Sequence, residues 1–433
     1  MPPNATDELV QQARFRLTAL RDTMGTLQPA TRHGLSARFL FNLCRRAVEG
    51  LERQIPEGPQ AAEDTVVQDA VKALMASTGF FHFLLSFVTS AVNERVPEAM
   101  TVPLEKVAGQ VVEHNRMLVY YDWTPSNYSF RRDFPRRLKE QLVEALDDED
   151  DPAIKAVPQL FAVLSIPAAE RNNVLLHSAL AHEVGHALVE QLPLPLPPLE
   201  LPPNQKPVDA TTLLSKWQHE LLADAWATVL LGPAPLLSLM ELSPHDHASN
   251  DHPCNFLRFT LMRHCLEKSG FLGAGKPPVD MEWLSGHVES ALTRAQTSQP
   301  GANEALFVWA HKQLLQRISE MLDHVSKHDL VAYKREAWDS ECLKRPSVHA
   351  LVWRILHCTP PDRIDHKQEQ PSLASILNAG WATHKSPARW QKFCAQFCLK
   401  QDVEYNSLLR LNQLLLKAIE ITSIRLEWGV PLQ

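Results

Sequence analysis

HSALAHEVGHALVE, residues 177–190, is the stretch on which the reading of this chain turns. Its apolar residues recur at helical spacing, and on a helix His182 and His186 stand one turn apart on a common face. Two imidazoles so placed reach a single zinc ion at about 2.0–2.1 Å. Glu183, rotated by about 100° around the axis, can address a water molecule at that ion. An HExxH motif therefore needs only a helix to assemble two metal ligands and a base.

WQHELLADAWATVLLGP, residues 217–233, supplies what the first stretch lacks. Glu220 and Asp224 share a helical face with Trp217 and Ala227. Glu220 is the candidate third protein ligand, which leaves the fourth zinc position open, as catalytic sites require. Asp224 is placed to accept the outer N–H of a ligand imidazole, fixing its tautomer and raising its basicity. Trp217, Leu221, Trp226 and Val184 are expected to line the contact between the two helices or the core behind it.

HExxH followed by ExxAD, with 34 residues from His186 to Glu220, resembles the gluzincin clan of zinc metallopeptidases. That resemblance implies His182, His186 and Glu220 as zinc ligands, Glu183 as general base and Asp224 as the partner of a ligand His, with one Zn2+ per chain as cofactor. Residues 220–233 are also similar to the second helix of ImmA/IrrE-type peptidases. His252-Pro253 with Arg258 looks like the HPxxxxR element of HtpX- and CAAX-protease-like peptidases. The resemblance covers residues 175–258 and implies a hydrolase acting on a peptide or protein substrate through a zinc-activated water. In that scheme His252 is a candidate donor to the oxyanion of the tetrahedral intermediate. Arg258, on the following helix, could pair with Asp224 or with a substrate carboxylate.

Three functions stay open at this level: a peptidase, a zinc-binding scaffold or regulatory protein without turnover, and hydrolysis of a non-peptide amide, since zinc and base chemistry does not itself name the leaving group. Weaker candidates are the loop residues His245, Asp246, His247, Asp251 and His252 as a second metal group, Cys394 and Cys398 on one helix face, and Arg131, Arg132, Arg136 and Arg137 as an anionic contact patch. Each has a plainer reading as polar loop, buried small hydrophobes and solvated face. A Gly-rich phosphate loop and a GxSxG elbow are missing from the sequence.

Outward from the motif, LFAVLSIP at 160–167 reads as a short buried strand feeding a helical pattern from about Ala168 to Gln191. This strand is expected to border the substrate cleft, where an extended peptide can pair with a sheet edge. Aromatic and β-branched residues between Val102 and Phe134 suggest one or two further strands. The prolines of 193–207 forbid helix and central strand, and read as a stiff connector or a flap. A helix from Asp209 to Leu231 ends at Gly232-Pro233, and another follows Pro253 to Leu266. Helical spacing also marks 7–24, 35–51 and, most clearly in the C-terminal third, 406–426. The expected fold is mainly α with a small β-sheet. It comprises an N-terminal helical region over 1–100, a zincin-like metallopeptidase core over 101–270 and a C-terminal helical region over 271–433.

The 433 residues are 45% hydrophobic and 21% charged, which excludes disorder, collagen and a disulfide miniprotein. With 43 basic against 50 acidic side chains and a net charge of −7, no nucleic-acid partner is expected. Seven scattered cysteines without CxxC pairs read as reduced thiols in a cytoplasmic protein. The N-terminal stretch has no apolar run behind a charged lead, so no secretory leader is expected. The longest apolar run, 80–92, is short for a spanning helix and reads as a buried core helix, with no membrane partner.

Overall fold

Helical spacing dominates the chain, and the computed structural model is correspondingly mainly α with one small sheet. It describes residues 5–27, 35–55, 65–112, 115–123, 128–158, 161–196, 206–243, 248–273, 281–296, 305–327, 347–363, 370–396 and 403–428. Contacts divide the chain into two compact units. The first is Met1–Val102 with His114–Tyr121 and Arg131–Ser165; the second is Pro103–Glu113 with Asp122–Phe130 and Ile166–Gln433.

The early helices are α1 (Ala5–Leu27), α2 (Leu35–Gln54), α3 (Thr65–Asn93), α4 (Arg95–Ala108), α5 (Phe134–Leu146) and α6 (Pro152–Lys155). Ala13, Leu17, Leu20 and Met24 of α1 bury the stripe their spacing predicts, against Leu43 and Val48 of α2 and Phe81, Leu84 and Phe87 of α3 in one apolar core. Val67–Asn93 of α3 is long and apolar enough to cross a membrane, and half of its most apolar window is buried. Among the described residues it is the one helix of that kind.

Strands β1 (Arg116–Asp122), β2 (Ser129–Phe130) and β3 (Phe161–Pro167) form a sheet in the order β1-β3-β2. β1 is an edge, and its outward amides are satisfied by hydroxyls from three helices. Met117 N–H donates to Ser36 Oγ at 3.2 Å, Val119 N–H to Thr101 Oγ1 at 3.2 Å and Tyr121 N–H to Ser90 Oγ at 2.9 Å. The alternation follows the two-residue period of a strand, and it blunts an edge that would otherwise template pairing with another chain. β3 is the middle strand. The edge that β3 was expected to offer a substrate is therefore taken in part, by the two-residue β2 on one side and by β1 on the other.

The stretch before the HExxH helix also departs from expectation. A continuous helix from Ala168 is replaced by two 3-10 turns, Ala168–Glu170 and Val174–Ala179, and α7 proper is Leu180–Gln191. Asn173, at φ −105° and ψ 72°, breaks the helical path. Beyond it, Leu175 N–H donates to the Asn412 side chain at 3.0 Å instead of to a helical carbonyl. Tertiary contact thus overrides local propensity here.

The later helices are α8 (Pro207–Leu231), α9 (Ala234–Leu242), α10 (Asn255–Lys268), α11 (Leu284–Ala295), α12 (Ala305–Gln316), α13 (Ile318–Ser326), α14 (Ser347–Leu356), α15 (Leu373–Lys385), α16 (Pro387–Cys394) and α17 (Val403–Trp428). α9 was not foreseen, and α8 starts two residues ahead of the expected Asp209, with Pro207 in its first turn, and stops at Gly232 (φ 68°) as expected. Asn378 of α15 donates to the Leu231 carbonyl at 2.7 Å, satisfying an acceptor at the end of α8. Trp217, Leu221, Trp226 and Val184 are fully buried, as expected.

Where α7 meets α8 the two backbones nearly touch. A Cβ built on Gly185 would lie 2.4 Å from the Ala223 carbonyl oxygen and 2.8 Å from Ala223 Cα. Only glycine allows this approach, and it is what brings the histidines of one helix to the carboxylates of the next.

Just ahead of α7, His177 is fully buried with the Tyr128 hydroxyl 3.0 Å from its Nδ1. Burial pushes its pKa down to about 3 from the ordinary 6.5. A histidine held neutral in the fold but free to protonate when unfolded stabilises the fold fully above pH about 6.5. That stability drains away as the pH falls towards the folded value near 3. The expected contribution lost between pH 7 and pH 5 is about 2 kcal/mol. Denaturant midpoints for wild type and His177→Gln across that range should show the variant taking up about one proton fewer on unfolding; parallel slopes would refute it.

Candidate metal centre

α7 carries His182, Glu183 and His186, and α8 carries Glu220 and Asp224. The glycine crossing places ligand-type atoms of His182, His186 and Glu220 within 4.8 Å of one another, in largely buried surroundings. His182 Nε2 is 3.3 Å from Glu220 Oε2, and His186 Nε2 is 3.5 Å from Glu220 Oε1. At zinc bond lengths, neighbouring atoms of a tetrahedral ligand set stand roughly 3.3–3.4 Å apart. Among the described residues no second group of this kind occurs.

The hydrogen-bond pattern tests the fit further. Arg258 grips Asp224 in a buried fork, Nε to Oδ2 at 2.7 Å and Nη2 to Oδ1 at 2.8 Å. Burial disfavours a charge on Asp224, but Arg258 and His182 outweigh it and hold the carboxyl below the usual range. An ionised Asp224 can only accept, so the His182 Nδ1 that faces its Oδ1 at 2.8 Å carries the hydrogen. In the neutral ring that leaves the Nε2 electron pair aimed at a Glu220 oxygen. Two acceptors facing one another call for a proton or a cation between them. The same demand appears in the electrostatics of the site. Burial opposes a charge on His182, yet Asp224 and Glu220 push its pKa up to about 10. Burial likewise opposes the charge of Glu220, while His182 and His186 hold its carboxyl far below the ordinary range. A divalent metal ion meets that demand, and two neutral imidazoles with one carboxylate are the donor chemistry it takes.

Glu183 is buried one residue along from His182. Burial pushes its pKa up to about 7, with the neighbouring carboxylates of Glu220 and Asp224 acting in the same direction against His182 and Arg258. A carboxyl near neutrality is what proton transfer at neutral pH requires.

His252 stands at the rim, its side chain half exposed and its Nε2 3.8 Å from Glu220 Oε2. Ser249 builds the turn that holds it: the Ser249 hydroxyl accepts from the backbone N–H of Asp251 and of His252, and its carbonyl accepts from Trp217 Nε1 at 2.8 Å. Lys216 donates to Asp251 at 2.7 Å. One face of α8 therefore carries the candidate ligand Glu220 and anchors the loop beside it. Comparisons with known proteins add no relative: no family model, curated protein or solved structure matches the chain.

His182, Glu183, His186, Glu220, Asp224, His252 and Arg258 thus lie close together in the second unit. Of the weaker candidates, Arg131 is spent on structure, its guanidinium 5.3–5.6 Å from the rings of Phe87, Phe83 and Tyr120 and its Nε donating to Tyr120 Oη. Arg136 pairs with Glu140 and Asp133. Asp251 is engaged by Lys216, and His245, Asp246, His247 and Cys398 lie outside the described residues, as do residues 197–205 of the proline-rich connector. Two contributors escaped the sequence reading. Ser249 carries no signal in spacing, and His219, beside Glu220, points to no chemistry until the helix crossing sets it against His186.

Proposed function

We propose that this chain is a zinc-dependent peptidase. The observation that carries the proposal is the convergence of His182, His186 and Glu220 within 4.8 Å, beside a buried glutamate with a pKa near 7. When bound there, zinc supplies a Lewis acid that polarises a carbonyl and acidifies water.

The chain's own residues do the rest. Glu183 takes the proton of the attacking water and returns it to the leaving nitrogen. His252, at the exposed rim, donates a hydrogen bond to the substrate oxygen as negative charge builds on it. Asp224 holds His182 in the tautomer that offers Nε2 as a donor atom, and Arg258 keeps Asp224 ionised. The substrate is a peptide or protein chain in a cytoplasmic setting, with the reduced cysteines that setting implies.

The test is metal content together with hydrolysis of casein on the same samples. The expected result is one zinc per chain, loss of hydrolysis on chelation and its return when zinc is added back. Stoichiometric zinc without cleavage of any unfolded protein or peptide library would shift the reading to a zinc-binding scaffold. No stoichiometric metal after zinc is supplied would overturn the metal site itself.

A further inference from the structure

The two candidate histidine ligands are held by different means. His182 is oriented through its Nδ1 by Asp224. His186 sits between two rings: His182 meets it edge-on, with centroids 4.5 Å apart at 79°, and His219 lies nearly parallel to it, with centroids 5.0 Å apart at 19°. His219 is outside the group of converging donor atoms, and its ring stacks on that of His186, which is inside it.

We propose that His219 is a positioning residue for His186, whose imidazole it holds by an offset stack in the orientation that presents Nε2 to the metal. The inference rests on the metal-site reading and extends it to a residue outside the HExxH and ExxAD motifs. Three physical points support it. Offset stacking of aromatic rings is worth more than the apolar area it buries and has a defined geometry. An imidazole that gives its electron pair to a cation becomes electron-poor, which strengthens its attraction to the electron-rich face of a neighbouring ring. His219 and Glu220 are consecutive on α8, so a single rigid element carries the third ligand and the platform for the second. A ligand already oriented in the absence of metal loses less rotational freedom when the metal binds.

The prediction concerns the stack and not the imidazole nitrogens, and two variants separate them. His219→Ala removes the platform and should weaken zinc binding by roughly three- to tenfold, read by competition with a chelator. Cobalt in place of zinc should then show a shifted or weakened ligand-field absorption, a signature that a merely structural role would leave alone. His219→Phe keeps a ring of similar reach and should restore both the affinity and the spectrum.

Wild-type affinity and spectrum in His219→Ala would overturn the proposal. So would a His219→Phe variant as impaired as His219→Ala, since the nitrogens and not the stack would then matter. A wild-type protein that binds neither zinc nor cobalt would overturn the underlying metal reading as well, and that outcome is separate from the first two because it is read before any variant is made.

Discussion

Glu183→Gln should bind zinc as the wild type does and lose turnover by about 10²–10⁴-fold. The substitution keeps the shape of the side chain and removes its capacity to take a proton. Glu183 is not among the three converging donors, so the metal should stay. Its position makes the test clean: a buried glutamate that burial lifts to about 7 is being replaced by a neutral amide, which the surroundings tolerate at least as well as a charge. Glu220→Ala is the counterpart. It removes a donor from the set of three and should release zinc to a chelator far more readily while sparing the fold of the first unit. Measured together by metal analysis and casein hydrolysis, the pair separates base from ligand. Full activity in Glu183→Gln would end its assignment as the base, and undiminished zinc affinity in Glu220→Ala would end the ligand set.

Gly185→Ala should cost more than about 3 kcal/mol and strip the site of metal, although it adds a single methyl group. The added Cβ would stand 2.4 Å from a carbonyl oxygen and 2.8 Å from a Cα of α8. Backbone atoms cannot swing aside as a flexible side chain can, so the helices have to separate. Separation moves His182 and His186 away from Glu220, and the consequences for stability and for metal binding appear together. Gly286, in α11, provides the control, because a Cβ there meets nothing within 4 Å. Gly286→Ala should stabilise by about 0.5–1 kcal/mol, the usual gain of alanine over glycine inside a helix. Denaturant midpoints should therefore move in opposite directions for the same chemical change. Equal and small effects would mean that the close crossing of α7 and α8 is not maintained in solution.

Much of the fold and most of the site were legible in the linear chain, for identifiable reasons. A helix repeats every 3.6 residues, so Leu17, Leu20 and Met24, or His182 and His186, declare a shared face without further information. Gly232 ends α8 where the sequence puts its end, because it adopts a positive φ there, whereas Pro207, read with the connector, opens the helix because a helix start leaves its missing N–H unused. What failed to be legible depended on partners distant in sequence. Just past the break at Asn173, Leu175 N–H is taken by Asn412, and the middle position of β3 is a matter of pairing order. The diversion of Arg131 from surface patch to ring cluster depends on Phe83 and Phe87.

By itself, then, the sequence determined the helical class of this protein, the placement of His182 and His186 on one helical face and that of Glu220 and Asp224 on another, because each follows from periodicity within a single helix. The tertiary structure decided that the two helices cross at Gly185 closely enough for the donor atoms of His182, His186 and Glu220 to meet. It also decided that Arg258 locks Asp224, that Ser249 carries His252 to the rim and that His219 lies under His186. Those are distances between elements set by backbone approach and side-chain packing, and neither leaves a period in the chain.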